Sequence, residues 1–478
     1  MRLPAIAILL SALLLAACAT GARTKQTGKR VAGAGPRLIA STTVSDPTTG
    51  ALTPLEGPSF AKAAQELQAG QIDAAIGTFD ALVKQNPNDL ESQVEFARLL
   101  LTAGRLTEAK AVLDRVIARA PNDVAAQYAL ALLAGAQGDS ARELKLLEAL
   151  IAKDPKNAGA NASLGEIYLG RNETAKAQSA FRASLAADPN NVTALLGDGE
   201  ILLNVDRNAT EALTRFNRAI QLQPTFSIGY SDRAEAEAAL GDYPAAEQDY
   251  TKAISLDPTY YWHYIDRGKF RLMDENNTVG ALADFTKAIS LEPSYFLGYV
   301  YRAGLYEQLG DTNRAIADYR KLLELRPDYY FAYRPYAVLL YTKKDWQLSA
   351  EYFLKAAAAD PADVGLQFLP AVIYLKQGKT STATAYLTRL VAELPQSSMF
   401  YHLAQLYLDP AREPEFLSYL QSNPNPDSRA RMQFYLACFY ELHGRMNLAQ
   451  QYFLDVQSHP VAGMYENKLT EAELANFR

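Results

Sequence analysis

At 478 residues the chain has the length of about three ordinary globular domains, and its 49% apolar residues are enough to build a large core. A formal net charge of −6, with 21% charged residues and no long run of one sign, excludes the basic face of a dedicated nucleic-acid binder.

The first elements in chain order are a targeting segment and a linker. Arg2 is the only charge before position 23, and residues 5–17 are apolar apart from Ser11. That stretch is too short for a comfortable membrane span of roughly 20 residues but suits the apolar part of a secretory signal. It ends in Leu15-Ala16-Ala17-Cys18, which resembles the lipobox of bacterial lipoproteins. The resemblance implies cleavage after residues 1–17 and acylation of Cys18. Several acyl chains on one residue anchor stably where a single chain is marginal. Ala19 in place of aspartate resembles the Gram-negative sorting pattern for the outer membrane, with the body facing the periplasm. With Cys18 lipidated, Cys438 has no disulfide partner, and its setting in Phe434-Tyr435-Leu436-Ala437-Cys438-Phe439 predicts a buried small hydrophobe. Residues 18–58 are rich in Gly, Ala, Thr, Ser and Pro without helical or strand periodicity, the composition of a flexible tether.

From about residue 59 prolines recur at Pro87, Pro121, Pro155, Pro189, Pro224, Pro258, Pro293, Pro327, Pro361 and Pro395, at intervals of 34 or 35. A period of this size marks stacked supersecondary units, in which each repeat packs only on its neighbours. With the proline placed at position 32, helix A falls near positions 1–14 and helix B near 17–30. The unit from Phe296 then has Tyr299 at position 4, Ala303 at 8, Tyr306 at 11, Gly310 at 15, Ala315 at 20, Tyr319 at 24 and Pro327 at 32. Small residues at 8 and 20 let the two helices cross closely, large ones fill the space beside them, and the glycine ends helix A in a left-handed turn. Ala234, Gly241, Ala246, Tyr250, Ala253 and Pro258 repeat the pattern. This skeleton resembles the tetratricopeptide repeat family over residues 59–397, in ten units. The resemblance implies an all-α solenoid, a right-handed superhelix of helix-turn-helix units, with no catalytic activity of its own.

Two units gain a residue, in the inter-helix turns near 205–210 and 274–280. Pro335 and Pro370 fall inside successive A helices and predict a kink or a delayed helix start. Residues 398–464 read as one degenerate unit, broken by Pro410, Pro414, Pro424 and Pro426, and a final unit from Arg429. Residues 465–478 read as a capping helix over the last apolar face, opening near Thr470-Glu471-Ala472-Glu473, with Glu471 and Glu473 solvated.

Of 48 aromatic residues, 22 lie between 226 and 341, which directs attention to that stretch. Most occupy skeleton positions, and Tyr260, Tyr295 and Tyr329 are expected to pack between units. Helix A positions 2, 5, 9 and 12 share one face, and the family resemblance makes that face the concave, partner-binding groove. They give Trp262, Ile265, Lys269 and Leu272, then Leu297, Val300, Gly304 and Glu307, then Phe331, Arg334, Val338 and Tyr341. Aromatic rings mixed with arginine and lysine have the make-up of a protein-binding hot spot. The alternative is a groove filled by the chain's own C-terminal helix or tether, or one that is merely apolar.

His263, His402, His443 and His459 form no metal-ligand spacing, and Gly197-Asp198-Gly199 lacks the strand and further glycines of a dinucleotide site, so no metal or cofactor is expected. The end of the chain, from Phe434 through Gly444, Ala449 and Tyr452-Phe453 to Tyr465-Glu466 and Glu473-Leu474, resembles the closing segment of NlpI-type lipoproteins. That resemblance implies an envelope scaffold whose partners are segments of other envelope proteins. A pilotin or export-scaffold role in pilus, secretion or polysaccharide assembly is the second expectation, and a carbohydrate-binding or enzymatic role the third.

Overall fold

The computed structural model describes residues 43–45, 52–54, 62, 63, 66 and 71–477. Residues 1–17, Cys18 and most of the expected tether lie outside the described residues. Within the tether span, Thr43–Ser45 and Leu52–Pro54 pair as a two-stranded antiparallel ladder with Val44 opposite Thr53. A short ladder therefore stands where the composition predicts no regular structure; Thr and Val are β-favouring types even in a Gly- and Pro-rich setting.

The described chain divides into two compact units, one ending at Ala281 and one beginning at Leu282. In each, consecutive helices pack on one another as A–B pairs. In the first unit the A helices Leu90–Thr102, Val124–Ala136, Ala158–Gly170, Val192–Asn204, Ser227–Ala239 and Tyr261–Met273 are each 13 residues long. The B helices, among them Leu106–Arg119 and Tyr243–Leu256, are 14 residues long.

Three local devices repeat along the array. The first is the left-handed residue between helices A and B. Gly104, Gly138, Gly241, Gly310, Gly378 and Gly444 have φ of 71–84°, and where glycine is missing Asn172, Arg207, Asn276 and Lys344 take φ of 53–65°. The two inserted residues fall where expected: helix A ends at Asn204 and helix B resumes at Ala209, and two pairs later Asp274–Asn277 separates Tyr261–Met273 from Thr278–Leu291.

The second device is a clasp on the repeat proline. The position-4 side chain donates to the proline carbonyl six residues earlier: Gln93 to Pro87, Gln127 to Pro121, Asn161 to Pro155, Tyr230 to Pro224, Tyr264 to Pro258, Tyr299 to Pro293, Tyr333 to Pro327 and Gln367 to Pro361. Position 4 is therefore polar-tipped for a reason, not only a space-filler: it satisfies a carbonyl that no helix reaches.

The third device is the A-helix N-cap, two residues after the proline. Asp89, Asp123, Asn157 and Asn191 accept from the backbone N–H three residues on. Phe226, Tyr260 and Tyr295 hold the same position with no side-chain cap. Asp257 supplies a local turn instead, accepting from the N–H groups of Thr259 and Tyr260 at 3.0 and 3.2 Å. Tyr329 packs edge-on against Phe296 of the preceding repeat at 5.5 Å, which is the between-repeat packing expected of that position.

Small residues at the helix crossing are filled by rings. A Cβ at Gly165 or Gly197 would run into Phe181, and one at Gly199 into Phe216, so Gly197-Asp198-Gly199 serves packing. Charged pairs sixteen or seventeen residues apart tie helix A to helix B: Arg233 grips both Asp249 oxygens, and Arg302 both Asp318 oxygens at 2.8 Å. In the repeat from Val192 the polarity is reversed, with Asp198 on helix A and Arg215 on helix B at 2.9 Å.

The two interior prolines behave differently. Pro335 lies in the first turn of Tyr333–Thr342, and the preceding turn Tyr330–Ala332 is a 3-10 turn, so the α-helix starts late. Pro370 sits inside Val364–Lys376, which runs on past it. In the second unit Met399–Leu408 and Glu413–Ser422 form a shortened pair joined by the turn Pro410–Arg412. The final pair is Pro426–Leu442 and Met446–Ser458, its first helix beginning three residues before Arg429. The C-terminal helix is Glu466–Leu474; it begins four residues earlier than the Thr470 signal suggests, and Thr470 is buried in its middle.

Candidate functional site

The sequence-predicted face divides between the two units. In the first, Trp262 and Ile265 are buried, with the Trp262 ring stacked on Tyr261 at 5.4 Å. Lys269 is one-third exposed, its ammonium 3.5 Å from Asp266. His263 is buried and its Nδ1 lies 2.7 Å from Ser231 Oγ of the preceding repeat, which makes it an interhelical hydrogen bonder. In the second unit Leu297 and Tyr341 are buried, Glu307 and Phe331 are half-buried, and Arg334 is exposed. The Phe331 ring lies 4.1 Å from Tyr330 and 5.6 Å from Tyr329.

Two of the second group, Glu307 and Tyr341, meet at the C-terminal helix, whereas Leu297, Phe331 and Arg334 are not among its partners. Helices Phe296–Gln308, Tyr333–Thr342, Val364–Lys376 and Pro426–Leu442 each present side chains to it. Lys468 Nζ donates to Glu307 at 3.1 Å, and Glu307 is held from the other side by the Tyr319 hydroxyl at 2.5 Å. Tyr341 donates its hydroxyl to Glu473, and Lys344 reaches Asn476 at 2.9 Å. Lys376 bridges Glu473 at 3.0 Å and Glu441 at 2.6 Å. Arg431 pairs with Glu466 at 3.1 Å, the Tyr435 hydroxyl donates to the same carboxylate at 3.2 Å, and Tyr465 packs on Phe353. Leu469 and Leu474 are buried among the rest. The expectation that Glu473 is solvated is therefore corrected: it is 2% exposed, because Lys376 and Tyr341 bind it inside.

Burial sets the titration of this cluster. It pulls the Lys376 ammonium down, but the carboxylates of Glu473 and Glu441 push it further up, so it is held above the usual lysine range. Burial, with Glu473 beside it, raises Glu441. The Cys438 thiol is pushed well up by burial despite Lys376 nearby, so it stays protonated and is a poor nucleophile. It is buried as expected, but against a lysine–carboxylate group and not in a purely apolar setting. Burial also lifts Glu466 to about 7, outweighing the lowering by Arg431. Chemically this arrangement holds a helix by charge and shape.

Sequence reasoning reached Glu307 and Tyr341 but missed Lys376, Glu441, Glu466, Lys468 and Glu473. A lysine closing a helix and acids on a short terminal helix read as solvated. The one available signal was Lys376 at the end of an otherwise apolar helix. Among the described residues no group of three or more His, Cys, Asp or Glu is placed to hold a metal ion, and no helix is long and apolar enough to cross a membrane.

Comparison with known proteins gives a consistent picture. Two family models, both described as tetratricopeptide repeat, match residues 66–133 and 134–204, and 205–261, 271–330 and 301–364, together more than half of the chain. The chain is 40% identical over 53 residues to the small glutamine-rich tetratricopeptide repeat-containing protein 2 of Saccharomyces cerevisiae; the match covers 11% of this chain and 15% of that protein. Among solved structures, PilW, a type IV pilus biogenesis factor, is 19% identical with a TM-score of 0.39, covering 43% of this chain and 95% of that one. Yeast Tom70 is 15% identical with a TM-score of 0.38, covering 76% and 92%.

Proposed function

Because the chain belongs to the tetratricopeptide repeat family, we propose that it is a membrane-tethered scaffold that binds segments of other proteins along its A-helix face in the bacterial envelope. The observation that carries the binding part is the seating of Glu466–Leu474, a helical segment held by side chains from four A helices. A surface able to take one helix through spaced charges and buried leucines uses the helix-in-groove mode of recognition. Within this reading Trp262, Ile265, Lys269, Leu297, Glu307, Phe331, Arg334 and Tyr341 belong to the partner-binding face, with Arg334 and Lys269 its most accessible members. The anchoring part rests on Leu15-Ala16-Ala17-Cys18 and Ala19. Acyl chains on Cys18 hold the protein at the outer membrane facing the periplasm, and residues 18–58 form the link. The distant NlpI-like ending favours partners among proteins that build or trim the cell wall.

Two experiments test this. Cys18→Ser leaves the protein unlipidated and moves it from the membrane pellet to the soluble fraction; palmitate labelling that persists in the variant refutes the anchor. Crosslinking from membranes with the intact lipoprotein as bait captures envelope proteins. Recovery of pilus or secretin subunits in place of cell-wall enzymes would instead establish the assembly role.

A further inference from the structure

The C-terminal helix is poorly suited to permanent burial. Of its five buried residues, Glu466, Thr470 and Glu473 are polar and only Leu469 and Leu474 are not. Glu466 Oε2, Asn467 Oδ1 and Thr470 Oγ1 are buried with no hydrogen-bond partner in the protein, so their desolvation is not recovered. At nine residues the helix is too short to persist alone in water. It follows a turn in which Gly463 takes φ of 78°, so the preceding chain bends sharply. Besides the buried Leu469 and Leu474, it is held by a few charge-assisted contacts at fixed places: Glu307, Tyr341 and Lys376 on three different A helices, and Arg431 on a fourth.

We propose that this tail is an exchangeable internal occupant of the A-helix face in the second unit, and that the face's external ligand is a partner helix with the tail's own spacing. That spacing is a lysine followed by leucine, then five positions on a glutamate followed by leucine, as in Lys468-Leu469 and Glu473-Leu474. The inference rests on the reading of this face as a protein-binding surface and adds its specificity and its gate. Specificity comes from geometry: the carboxylate of Glu307 and the ammonium of Lys376 are set on different helices, so the ligand's opposite charges must match both at once. Gating comes from tethering. A linked tail competes at an effective concentration on the order of millimolar. A partner gains the site when its helix buries no unpaired oxygens like those of Glu466, Asn467 and Thr470 in the tail.

The probe is a fluorescein-labelled synthetic peptide of residues 460–478, titrated into the full-length protein in detergent. The tail variant Lys468→Glu/Glu473→Lys loses both anchoring pairs and exposes the face. It is expected to bind the peptide at least ten-fold tighter than the unmodified protein does. Adding Glu307→Gln, which offers the reversed tail no new ion pair, is expected to remove most of that gain, and a peptide carrying Lys468→Gln is expected to bind the tail variant correspondingly less well. A tail variant that keeps its circular dichroism but binds the peptide no better than the parent overturns the proposal. Should the variant misfold, hydrogen exchange on the unmodified protein decides: excess unlabelled peptide lowers protection of residues 466–474 if the tail exchanges, and unchanged protection overturns it. A tail variant that still captures envelope proteins while ignoring the peptide sinks this inference and leaves the scaffold reading standing.

Discussion

Glu143 shows how one residue departs from the repeat skeleton and what that costs. Position 20 is alanine in most repeats, as at Ala109, Ala177 and Ala246, all fully buried. Here a carboxylate takes the place and lies against the bare backbone of Gly135. Burial, with Glu166 adding repulsion, raises it to about 7. An acid raised on folding favours the folded state below its unfolded value near 4.5 and loses that contribution as pH climbs through 7. Glu143→Ala is therefore expected to stabilise the protein at pH 8 by about 1–2 kcal/mol, after discounting for partial exposure, and by much less at pH 5. Thermal melts at both values check it; an equal gain at the two pH values would deny the burial of a charge. The left-handed turns give a second residue-scale prediction. Arg207, exposed at φ of 57°, carries a side chain where six other repeats use glycine. Arg207→Gly is expected to add about 1 kcal/mol, read as a rise in denaturation midpoint.

Among the elements, the tail helix is the one whose docking should answer to pH. Glu466 faces Arg431 on helix Pro426–Leu442, Asp363 before helix Val364–Lys376, and the hydroxyls of Tyr435 and Tyr465. Its carboxyl is raised to about 7, so the docked helix holds a proton that the released helix gives up. Glu466's own contribution to docking is thus full below about pH 4.5 and is lost as pH rises through 7. Amide exchange in residues 466–474 should speed up between pH 6 and 8 beyond the intrinsic rate, and Glu466→Gln should abolish the extra change. The repeat helices were legible because they carry several independent local signals: the repeat proline, the turn glycine and the small crossing residues. The tail was not. Its polar residues read as a solvated face, and what buries them are contacts 132 and 161 residues away in sequence, to Tyr341 and Glu307. The charge pairs joining helices A and B were also overlooked, although the near-copies Asp249-Tyr250-Thr251-Lys252 and Asp284-Phe285-Thr286-Lys287 display one partner openly.

For the molecule as a whole, a repeating architecture was readable from periodicity, whereas the choice between an open and a self-filled face was not, because periodicity describes neighbours only. The reversed pair in the repeat from Val192 shows where this matters. Arg182 of the preceding repeat lies 3.7 Å from Asp198, and the equivalent contact one repeat later joins Asn217 to Arg233 at 2.9 Å. Excising residues 192–226, one whole repeat, would bring the Arg182 and Arg233 guanidiniums face to face. Losing residues 227–260 would instead set Arg267 beside Asn217, a neutral meeting. The modules thus carry a polarity key, and ancestral duplications or losses across that junction would be filtered by electrostatics even where the helices themselves fit.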